Sequence, residues 1–217
     1  MIKILYEDNH VIVVVKPINV PVQLDDSKDV DLLTMLKSYL KEKFQKPGNV
    51  YLGLVHRLDR PVSGVMVFAK TSKAASRLSE QVRTHQIIKK YYAVVEGKFD
   101  CNFGSMKDKL LKNSQTNTTI VSEEGKEAIL NYKVIDFKKG YSLVDIDLVT
   151  GRSHQIRVQF SSRNHALYGD QRYNKNSKVG EQIALFSYYL AFNHPITKEK
   201  MEFFFEKPNS FPWTLFD

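Results

Sequence analysis

Apolar residues recur along the chain at two spacings, one typical of strands and one typical of helices, and the spacing indicates each expected element. The stretches "IKILY" and "VIVVVK" flank Glu7–His10. This pattern predicts a β-hairpin whose second strand ends at Lys16, because Pro17 has no N–H group to donate to the ladder. Between Asp31 and Phe44 the apolar residues recur every three or four positions. That spacing predicts an amphipathic surface helix.

The segment after the next apolar run, "VMVFAK", predicts a strand followed by a second helix. Ser72 is a residue type that caps helices, and Ala75, Leu78 and Val82 follow it at helical spacing. These three residues are expected to form the buried stripe of that helix. Further strands are predicted at "YYAVVEG", "ILNYKVIDF" and "YSLVDIDLV".

The remaining pattern indicates the fold class. In "SHQIRVQFSSRN", Ile156 and Phe160 share one helical face. Strands outnumber helices and many are joined by short turns, so we expect an α+β fold with a mixed, mainly antiparallel sheet flanked by helices and loops. No repeat, low-complexity segment or linker divides the 217 residues. We therefore expect one domain over residues 1–217.

Charge and cysteine content narrow the classes of partner and compartment. The 32 Lys+Arg against 24 Asp+Glu give a net charge of +8, which favours an anionic partner such as nucleic acid or an acidic membrane face. The single cysteine, Cys101, excludes an intramolecular disulfide and fits a reducing compartment such as the cytoplasm. Glu7 and Asp8 interrupt the apolar N-terminal stretch, so the sequence predicts neither a signal peptide nor a membrane span.

Several common catalytic signatures are missing from the sequence. There is no GxxxxGK phosphate loop, no HExxH and no GxSxG. "HRLD" differs from the HRD of protein kinases, and neither GxGxxG nor DFG accompanies it. The six histidines do not recur at the spacing of a helix-face metal site, so we assign no metal.

Five polar sequences carry a specific resemblance to a known family. "HRLDRPVSGVMVFAKT", "KKYYAVVEG" and "TGRSHQIRVQF" resemble the HRLDxx[TS]SG, KxYxAxVxG and GR[TS]HQ[IL]RVH elements of the RluA-type pseudouridine synthases. "NHALYGDQRY" and "LAFNHPITKE" are similar to that family's GHPIxGDxxY and LxFxHPxT. The matches follow the family's order. Departures at Val62, at Gln159 and at 164–166, where the family has Thr, His and GHP, remove no residue that the chemistry needs.

The resemblance implies an enzyme that isomerises specific uridines in ribosomal or transfer RNA to pseudouridine without a cofactor. The target nucleotide is flipped out of the stacked RNA. Its N-glycosidic bond then breaks, the uracil rotates, and C5 joins C1′ of the ribose. The expected partner is an RNA stem-loop rather than a membrane. We also expect a monomer without an obligatory protein partner and without the extra N-terminal RNA-binding module common in the family.

The same resemblance implies catalytic roles. Asp59 is expected to act at the sugar, either as nucleophile or as ion-pair stabiliser, and Arg157 is expected to keep it ionised. Leu58 would anchor the turn that holds Asp59. Tyr91 aligns with the family tyrosine, which can stack on uracil and help remove the C5 proton. Neighbouring strand residues point to opposite faces, so Tyr92 is expected in the core.

Four further residues are expected to hold the RNA. Arg57 would fill the gap left by the flipped base or contact a phosphate. Arg152 would orient its loop or contact a phosphate, and His154 would hold the same turn. Lys89, at the start of "KKYYAVVEG", is the fourth expected RNA contact.

Two alternative classes stay open at this point. One is an RNA-binding protein on the same fold without catalysis, which the presence of Asp59, Tyr91 and Arg157 disfavours. The other is a glycosidase acting on free nucleosides. Two carboxylates flanking the bond are expected for glycoside hydrolysis, and one acidic residue stands out here.

Overall fold

The computed structural model describes residues 2–217 and confirms the predicted α+β class, with a mixed and largely antiparallel sheet. The helices are α1 (Leu32–Lys43), α2 (Ser72–Arg83) and α3 (Gln155–Ser161), with a short 3₁₀ helix at Trp213–Phe216. The strands are β1 (Lys3–Glu7), β2 (Val11–Lys16), β3 (Gly53–Leu54), β4 (Ser63–Ala69), β5 (Ile88–Glu96), β6 (Phe103–Asn113), β7 (Thr118–Val121), β8 (Lys126–Lys138), β9 (Tyr141–Leu148), β10 (Leu185–Asn193) and β11 (Lys200–Phe204).

The first of two compact units comprises the described residues up to Ile87 together with Tyr189–Phe205. It contains the predicted hairpin, which is confirmed: β1 and β2 pair antiparallel. Asp8 closes the turn, because its Oδ1 accepts hydrogen bonds from the backbone N–H groups of His10 and Val11, both at 2.7 Å. Strand β2 then pairs antiparallel with β4, which also carries β3 on part of its length.

Both predicted helices of this unit are present, with one correction. Asp31 caps α1, since its Oδ1 accepts from the Thr34 N–H at 3.0 Å, and Leu32, Leu36 and Leu40 are the buried stripe. The cap of α2, however, is Thr71 and not Ser72. Thr71 keeps an extended backbone and its hydroxyl accepts from the Ala74 N–H, so the helix begins one residue after its cap.

The buried face of α2 is rotated slightly from the prediction. Ala74, Leu78 and Gln81 are buried, whereas Ala75 and Val82 are half-buried against the same core. Gln81 can be buried because both ends of its amide are paired with the backbone of Asn193, at 2.8 and 2.9 Å. The core of the unit is built from β2, β4, α2 and β10 residues: Val11, Val13, Val65, Val67, Ala69, Ala74, Leu78, Leu190 and Phe192.

The second unit comprises Ile88–Tyr188 and Glu206–Asp217. Its strands follow the order β5-β9-β8-β6-β7, and the pairs β5–β9, β9–β8, β8–β6 and β6–β7 are all antiparallel. The predicted strands at β5, β8 and β9 are confirmed, as is the helix at Ile156. Aromatic rings of Phe99, Tyr132 and Phe160 contact one another within this unit.

Helices of residues 2–217 are all too short or too polar to cross a bilayer.

Candidate active site

Asp59 lies in the connection between β3 and β4, in the first unit. The backbone of this connection is held at several points. The His56 Nε2 accepts a hydrogen bond from the Val67 N–H at 3.1 Å. The Asp59 carbonyl oxygen accepts from the Val62 N–H at 3.0 Å, which closes a tight turn immediately after the carboxylate. The expectation of a short, fixed turn at Asp59 therefore agrees with the geometry.

Exposure alternates along this turn as the sequence predicted. Leu58 is 7% exposed and belongs to the core, which confirms its expected role as the anchor of the turn. Arg57 on one side is exposed, and Asp59 on the other side is half-buried. The guanidinium and the carboxylate are thus both accessible from one loop, with Leu58 between them.

Arg60, the arginine that follows Asp59, is held by acidic partners within the unit. Its Nη2 is paired with Asp29, and its Nη1 lies 3.7 Å from the Asp25 Oδ2. These two contacts hold the side chain of Arg60, the residue that follows Asp59. Of the two arginines that flank Asp59 in the sequence, Arg57 is therefore the more exposed.

Lys16 was not singled out by sequence reasoning beyond ending β2, yet it contacts the same turn. Its side chain is fully buried, and its Nζ donates to the carbonyl oxygens of Pro17 at 2.8 Å and Arg60 at 2.9 Å. Burial lowers the pKa of Lys16 to about 7, while the Asp59 carboxylate acts in the opposite direction. The signal in the sequence was a lysine that closes the continuous apolar run "VIVVVK" directly before Pro17.

Tyr91 and Tyr92 lie on β5 in the second unit and point to opposite faces of the sheet, as predicted. Tyr91 is 5% exposed and lies opposite Ile146 of β9. Tyr92 corrects the expectation of a core residue: it is half-buried, its ring stacks on Tyr188 at 3.9 Å, and burial raises its pKa. The Tyr188 hydroxyl donates to Asp145 at 2.9 Å, so this face of β5 carries polar groups.

Lys89 lies two residues before Tyr91 and is buried against the "TGR" turn. A Cβ at position 151 would come within 3.3 Å of the Lys89 Nζ, so Gly151 leaves the room that this ammonium occupies. Burial lowers the pKa of Lys89. The structure therefore brings two of the expected RNA contacts, Lys89 and the Gly151–Arg152 turn, to one place.

The turn before α3 is fixed by Gln155, a residue that sequence reasoning left without a role. Its Oε1 accepts from the Thr150 hydroxyl at 2.8 Å and from the Arg152 N–H at 2.9 Å, and its Nε2 donates to the Ile129 carbonyl at 3.1 Å. The Arg152 side chain is exposed, and its Nε donates to the Glu127 carbonyl oxygen at 2.8 Å. The expected loop-orienting role of Arg152 agrees with this contact.

Arg157 is buried on α3 and forms a two-pronged ion pair with Asp170. Its Nε lies 2.8 Å from the Asp170 Oδ2 and its Nη2 lies 2.7 Å from Oδ1. The guanidinium carbon also lies 5.2 Å from the centre of the Tyr173 ring. Gly169 permits this arrangement, because its φ of +69° is a left-handed conformation and a Cβ there would collide with the Gln182 backbone.

His154 lies in the left-handed conformation at the start of α3, and its Nδ1 is 2.7 Å from the Tyr173 hydroxyl oxygen. The same hydroxyl oxygen accepts from the Thr119 N–H at 2.8 Å. Tyr173 therefore joins His154 and Arg157, and the expectation that His154 holds the turn agrees with its contacts. Asp170 and Tyr173 were missed as individual residues, although the "GDQRY" in which both lie was recognised as a family element.

Gln159, which stands where the family has histidine, keeps a donor at that position. Its Nε2 donates to Asp108 Oδ2 at 2.7 Å, and Asp108 is in turn paired with Arg163. An amide thus supplies an N–H group as an imidazole could. This departure leaves the packing of α3 intact, since Gln159 is fully buried.

The predicted catalytic and RNA-binding residues are distributed between the two units. Arg57 and Asp59 belong to the first unit, whereas Lys89, Tyr91, Arg152, His154 and Arg157 belong to the second. That Asp59, Tyr91 and Arg157 form one catalytic site stays a prediction. Among residues 2–217, no group of three or more His, Cys, Asp or Glu side chains is placed to hold a metal ion.

Comparisons with known proteins identify the family. The family model described as RNA pseudouridylate synthase matches residues 10–162. A ribosomal large subunit pseudouridine synthase D from Zymomonas mobilis is 34% identical over 221 residues, which cover 95% of this chain and 69% of that protein. A ribosomal large subunit pseudouridine synthase C from Buchnera aphidicola is 32% identical over 212 residues, covering 91% of this chain and 65% of that protein.

The fold is shared with solved structures of the same kind. Human RNA Pseudouridylate Synthase Domain Containing 4 superposes with a TM-score of 0.81 at 22% identity, covering 95% of this chain and 89% of that one. These matches favour the enzyme over the binding-protein and glycosidase alternatives. The chain belongs to the RluA-type family of RNA pseudouridine synthases, isomerases that convert uridine in RNA to pseudouridine.

Proposed function

We propose that this enzyme modifies specific uridines of ribosomal RNA, with Asp59, Tyr91 and Arg157 as its catalytic residues. The observation that carries the proposal is the Asp59 turn, in which a half-buried carboxylate is fixed by backbone hydrogen bonds beside an exposed arginine. The names of the curated relatives, which act on the large ribosomal subunit, support ribosomal RNA as the substrate class. Transfer RNA stem-loops are the second substrate class to test.

The carboxylate of Asp59 acts at C1′ of the target ribose, either by attacking that carbon or by stabilising the positive charge that develops on the sugar. In both cases the N1–C1′ bond breaks and the uracil departs with its electron pair. The detached base then turns, so that C5 faces C1′ and the new carbon–carbon bond forms. A carboxylate on a rigid turn is suited to this sequence, because it must keep its position while the base rotates.

Tyr91 is the residue proposed to act on the base. Its ring is large enough to stack on the uracil during rotation, and its hydroxyl is a candidate for removing the C5 proton. On the same face of β5 its neighbours Lys89 and Ala93 are buried, which restricts its movement. The isomerisation is balanced without a cofactor, since C5 loses one proton and N1 gains one.

Arg157 is the proposed cationic partner of the Asp59 carboxylate. The two-pronged pair with Asp170 uses Nε and Nη2 of the guanidinium and fixes its plane. A guanidinium carries five N–H donors in one rigid plane. A planar cation oriented in this way can serve a second carboxylate.

Four residues bind the RNA around the target nucleotide. Arg57 enters the stack in place of the flipped uridine, and Arg152 and Lys89 contact phosphates. His154 supports the same surface by holding the turn before α3. The net charge of +8 supports an electrostatic contribution to binding. We further propose one catalytic domain that works as a monomer in the cytoplasm.

The test of substrate class is a comparison of pseudouridines in total RNA from cells with and without this gene. Chemical labelling of pseudouridine followed by sequencing locates each modified position. The proposal expects labelled positions to disappear from large-subunit ribosomal RNA and to return with the wild-type gene but not with Asp59→Asn. Losses confined to transfer RNA would replace the substrate class, and an unchanged map would contradict the proposal.

A further inference from the structure

The C-terminal end of helix α1 exposes an aromatic ring among lysines, at a place that the catalytic scheme does not use. The sequence there, "KEKFQKP", sets Phe44 between Lys43 and Lys46. Phe44 follows Leu36 and Leu40 at the spacing of the buried stripe of α1, yet it is 46% exposed. A single exposed apolar side chain is ordinary in a soluble protein, so the groups around the ring determine what it indicates.

Three ammonium groups surround the Phe44 ring. The Nζ atoms of Lys70, Lys43 and Lys46 lie 4.7, 5.4 and 5.8 Å from its centre. The Lys70 side chain is 8% exposed and so lies on the protein side of the ring, whereas Lys43 and Lys46 are exposed. The Glu7 carboxylate pairs with Lys43 and with Lys70, both at 2.8 Å. With three ammonium groups and this one shared carboxylate, the surroundings of the ring carry an excess of positive charge.

The backbone at the end of α1 holds this arrangement, which we call the Phe44 platform (Phe44 with Lys43, Lys46 and Lys70). The Lys46 N–H donates to the Lys41 carbonyl oxygen at 3.0 Å, and the Gln45 N–H donates to the Glu42 carbonyl oxygen at 3.2 Å. These are the two hydrogen bonds of a Schellman helix end. Gln45 has a φ of +46°, the left-handed conformation in which glycine is usual. This reversal of the chain brings the Lys46 ammonium back to the ring.

The Phe44 platform and the Asp59 turn lie at opposite ends of β4. The Asp59 turn leads into Ser63, the first residue of the strand, and Lys70 directly follows Ala69, the last one. A strand of 7 residues spans about 20 Å. A nucleotide held at Asp59 therefore leaves the platform open to a different part of the same RNA.

We propose that the Phe44 platform is a second RNA-binding site, which takes an unpaired nucleotide distant from the target uridine. The base stacks on the solvent side of the Phe44 ring, and the Lys43 and Lys46 ammonium groups bind the flanking phosphates. Aromatic rings stack on any base, so the site adds affinity for single-stranded RNA without reading its sequence. This inference goes beyond the proposed catalytic residues and rests on RNA as the substrate of the family.

Phe44→Trp reports contact with the ring directly. The native chain has one tryptophan, Trp213, which is 4% exposed and belongs to the second unit, so an indole at position 44 supplies a separate fluorescence signal. The variant is titrated with single-stranded oligocytidine, which offers no uridine to the active site. A base that stacks on the new indole should quench its emission. Wild type, which has Trp213 alone, is the control and should show no comparable quenching.

Affinity for the same oligocytidine is the second readout. Phe44→Leu keeps an apolar side chain over Lys70 but cannot stack, so binding should weaken on the order of 10-fold, as when one stacked base is lost. Lys46→Gln should lower the slope of log affinity against log salt by about 0.7, the contribution of one phosphate contact on a single strand. Lys200→Gln is the matched control at an exposed lysine of β11 that pairs with Glu202, and it should leave the slope unchanged. All variants should keep the unfolding midpoint and, with saturating substrate RNA, kcat.

Two results would each overturn the proposal: no quenching in folded Phe44→Trp beyond that of wild type, or an affinity of folded Phe44→Leu within about 2-fold of wild type. Equal slope losses in Lys46→Gln and Lys200→Gln would also overturn it, because the lysines would then act only through the net charge. If only Phe44→Trp folds, its quenching is the deciding result, and if neither variant folds, Phe44 is a structural residue and the proposal fails. Oligocytidine binding involves no isomerisation, so turnover by Asp59→Asn tests the proposed catalytic function separately.

Discussion

The two units hold their predicted catalytic residues in different ways. In the first unit, Asp59 lies on an irregular segment fixed mainly through the backbone, by Val62 N–H and by the Lys16 ammonium on the next carbonyl. In the second unit, Arg157 lies on a helix and is fixed through its side chain, by Asp170 and the Tyr173 ring. Substitutions should therefore act differently in the two units.

The two units should also differ in how well they tolerate substitutions of these residues. Two hydrogen bonds that hold the Asp59 turn, from the Val62 N–H and from the Lys16 ammonium, end on backbone carbonyl oxygens, so a substitution of the Asp59 carboxylate keeps both of them. Arg157 cannot be altered without leaving the buried Asp170 unpaired. Variants of the first unit should thus separate catalysis from stability, whereas variants at Arg157 should change both.

The largest effect among the supporting residues is expected at Tyr91. Tyr91→Phe removes the hydroxyl and keeps the ring, so RNA binding should persist while turnover falls by about 10²–10⁴-fold, the usual contribution of general acid–base catalysis. Tyr92→Phe is the matched control on the same strand, because its ring would still stack on Tyr188. Single-turnover assays on both variants make the comparison. Equal turnover in the two variants would show that the wrong face of β5 was assigned to the active site.

Arg157 and Asp170 test the second half of the comparison. Arg157→Ala should lower turnover on the order of 10²-fold or more, because it removes a preorganised cation. It should also cost about 3–5 kcal/mol in the free energy of unfolding, because it leaves a buried carboxylate unpaired. Asp170→Asn should also destabilise the unit while losing much less turnover. Urea unfolding measures the free energy of unfolding of both variants, and single-turnover assays measure their activity.

Equal losses of turnover in Arg157→Ala and Asp170→Asn would mean that Arg157 acts through the ion pair alone. In that case the second unit would contribute a structural pair, and the difference between the units would disappear.

Arg57 should show a smaller effect that depends on the substrate. Arg57→Ala should lower turnover on a structured stem-loop on the order of 10-fold more than on a flexible RNA whose target uridine is already unstacked, since unstacking costs a few kcal/mol. Arg57→Lys is the control that keeps a phosphate-binding charge. Losses of equal size on both RNAs would reduce Arg57 to a phosphate contact.

The remaining expected effect is on stability and not on turnover, and it comes from Lys16. Folded Lys16 loses its proton near pH 7, whereas unfolded lysine keeps it to about 10.5. Between these values the unfolded state binds more protons, so this group makes the free energy of unfolding rise with pH, by up to about 1.4 kcal/mol per pH unit. Lys16→Met should lack this contribution. Urea unfolding from pH 6 to 10 measures it, and identical pH slopes in the two proteins would contradict the assignment.

The sequence predicted the elements that show a clear period or a clear boundary. Helix α1 and strand β9 show regular spacing of apolar and polar residues, and the β1–β2 hairpin consists of two apolar runs around a polar turn; each was confirmed. Strand β6 was not predicted, because its buried residues Met106 and Leu110 are separated by lysines on an exposed face and are four positions apart, as in a helix. Strand β10 was not predicted either, since it is buried on both faces and shows no period.

The candidate site was predictable to the extent that its contacts are local. Leu58 lies beside Asp59 in the sequence, and its anchoring role followed from alternation. Asp170 lies 13 residues from Arg157, and Lys16 lies 44 residues from Arg60. Pairings at such distances are set by the tertiary structure, so a pattern within one motif does not contain them. The cap of α2 was misplaced for a different reason: Thr71 and Ser72 are adjacent and both suit that position.

The most direct test of the account is the turnover of purified Asp59→Asn. The substitution keeps the size of the side chain and the backbone contacts of its turn, and it removes the charge that the chemistry requires at the sugar. Release of tritium from RNA labelled at C5 of uridine measures the isomerisation, and RNA affinity and the unfolding midpoint are measured on the same sample. We predict wild-type affinity and stability with no detectable tritium release. Measurable release by the folded Asn variant would contradict the assignment of Asp59 as the catalytic carboxylate.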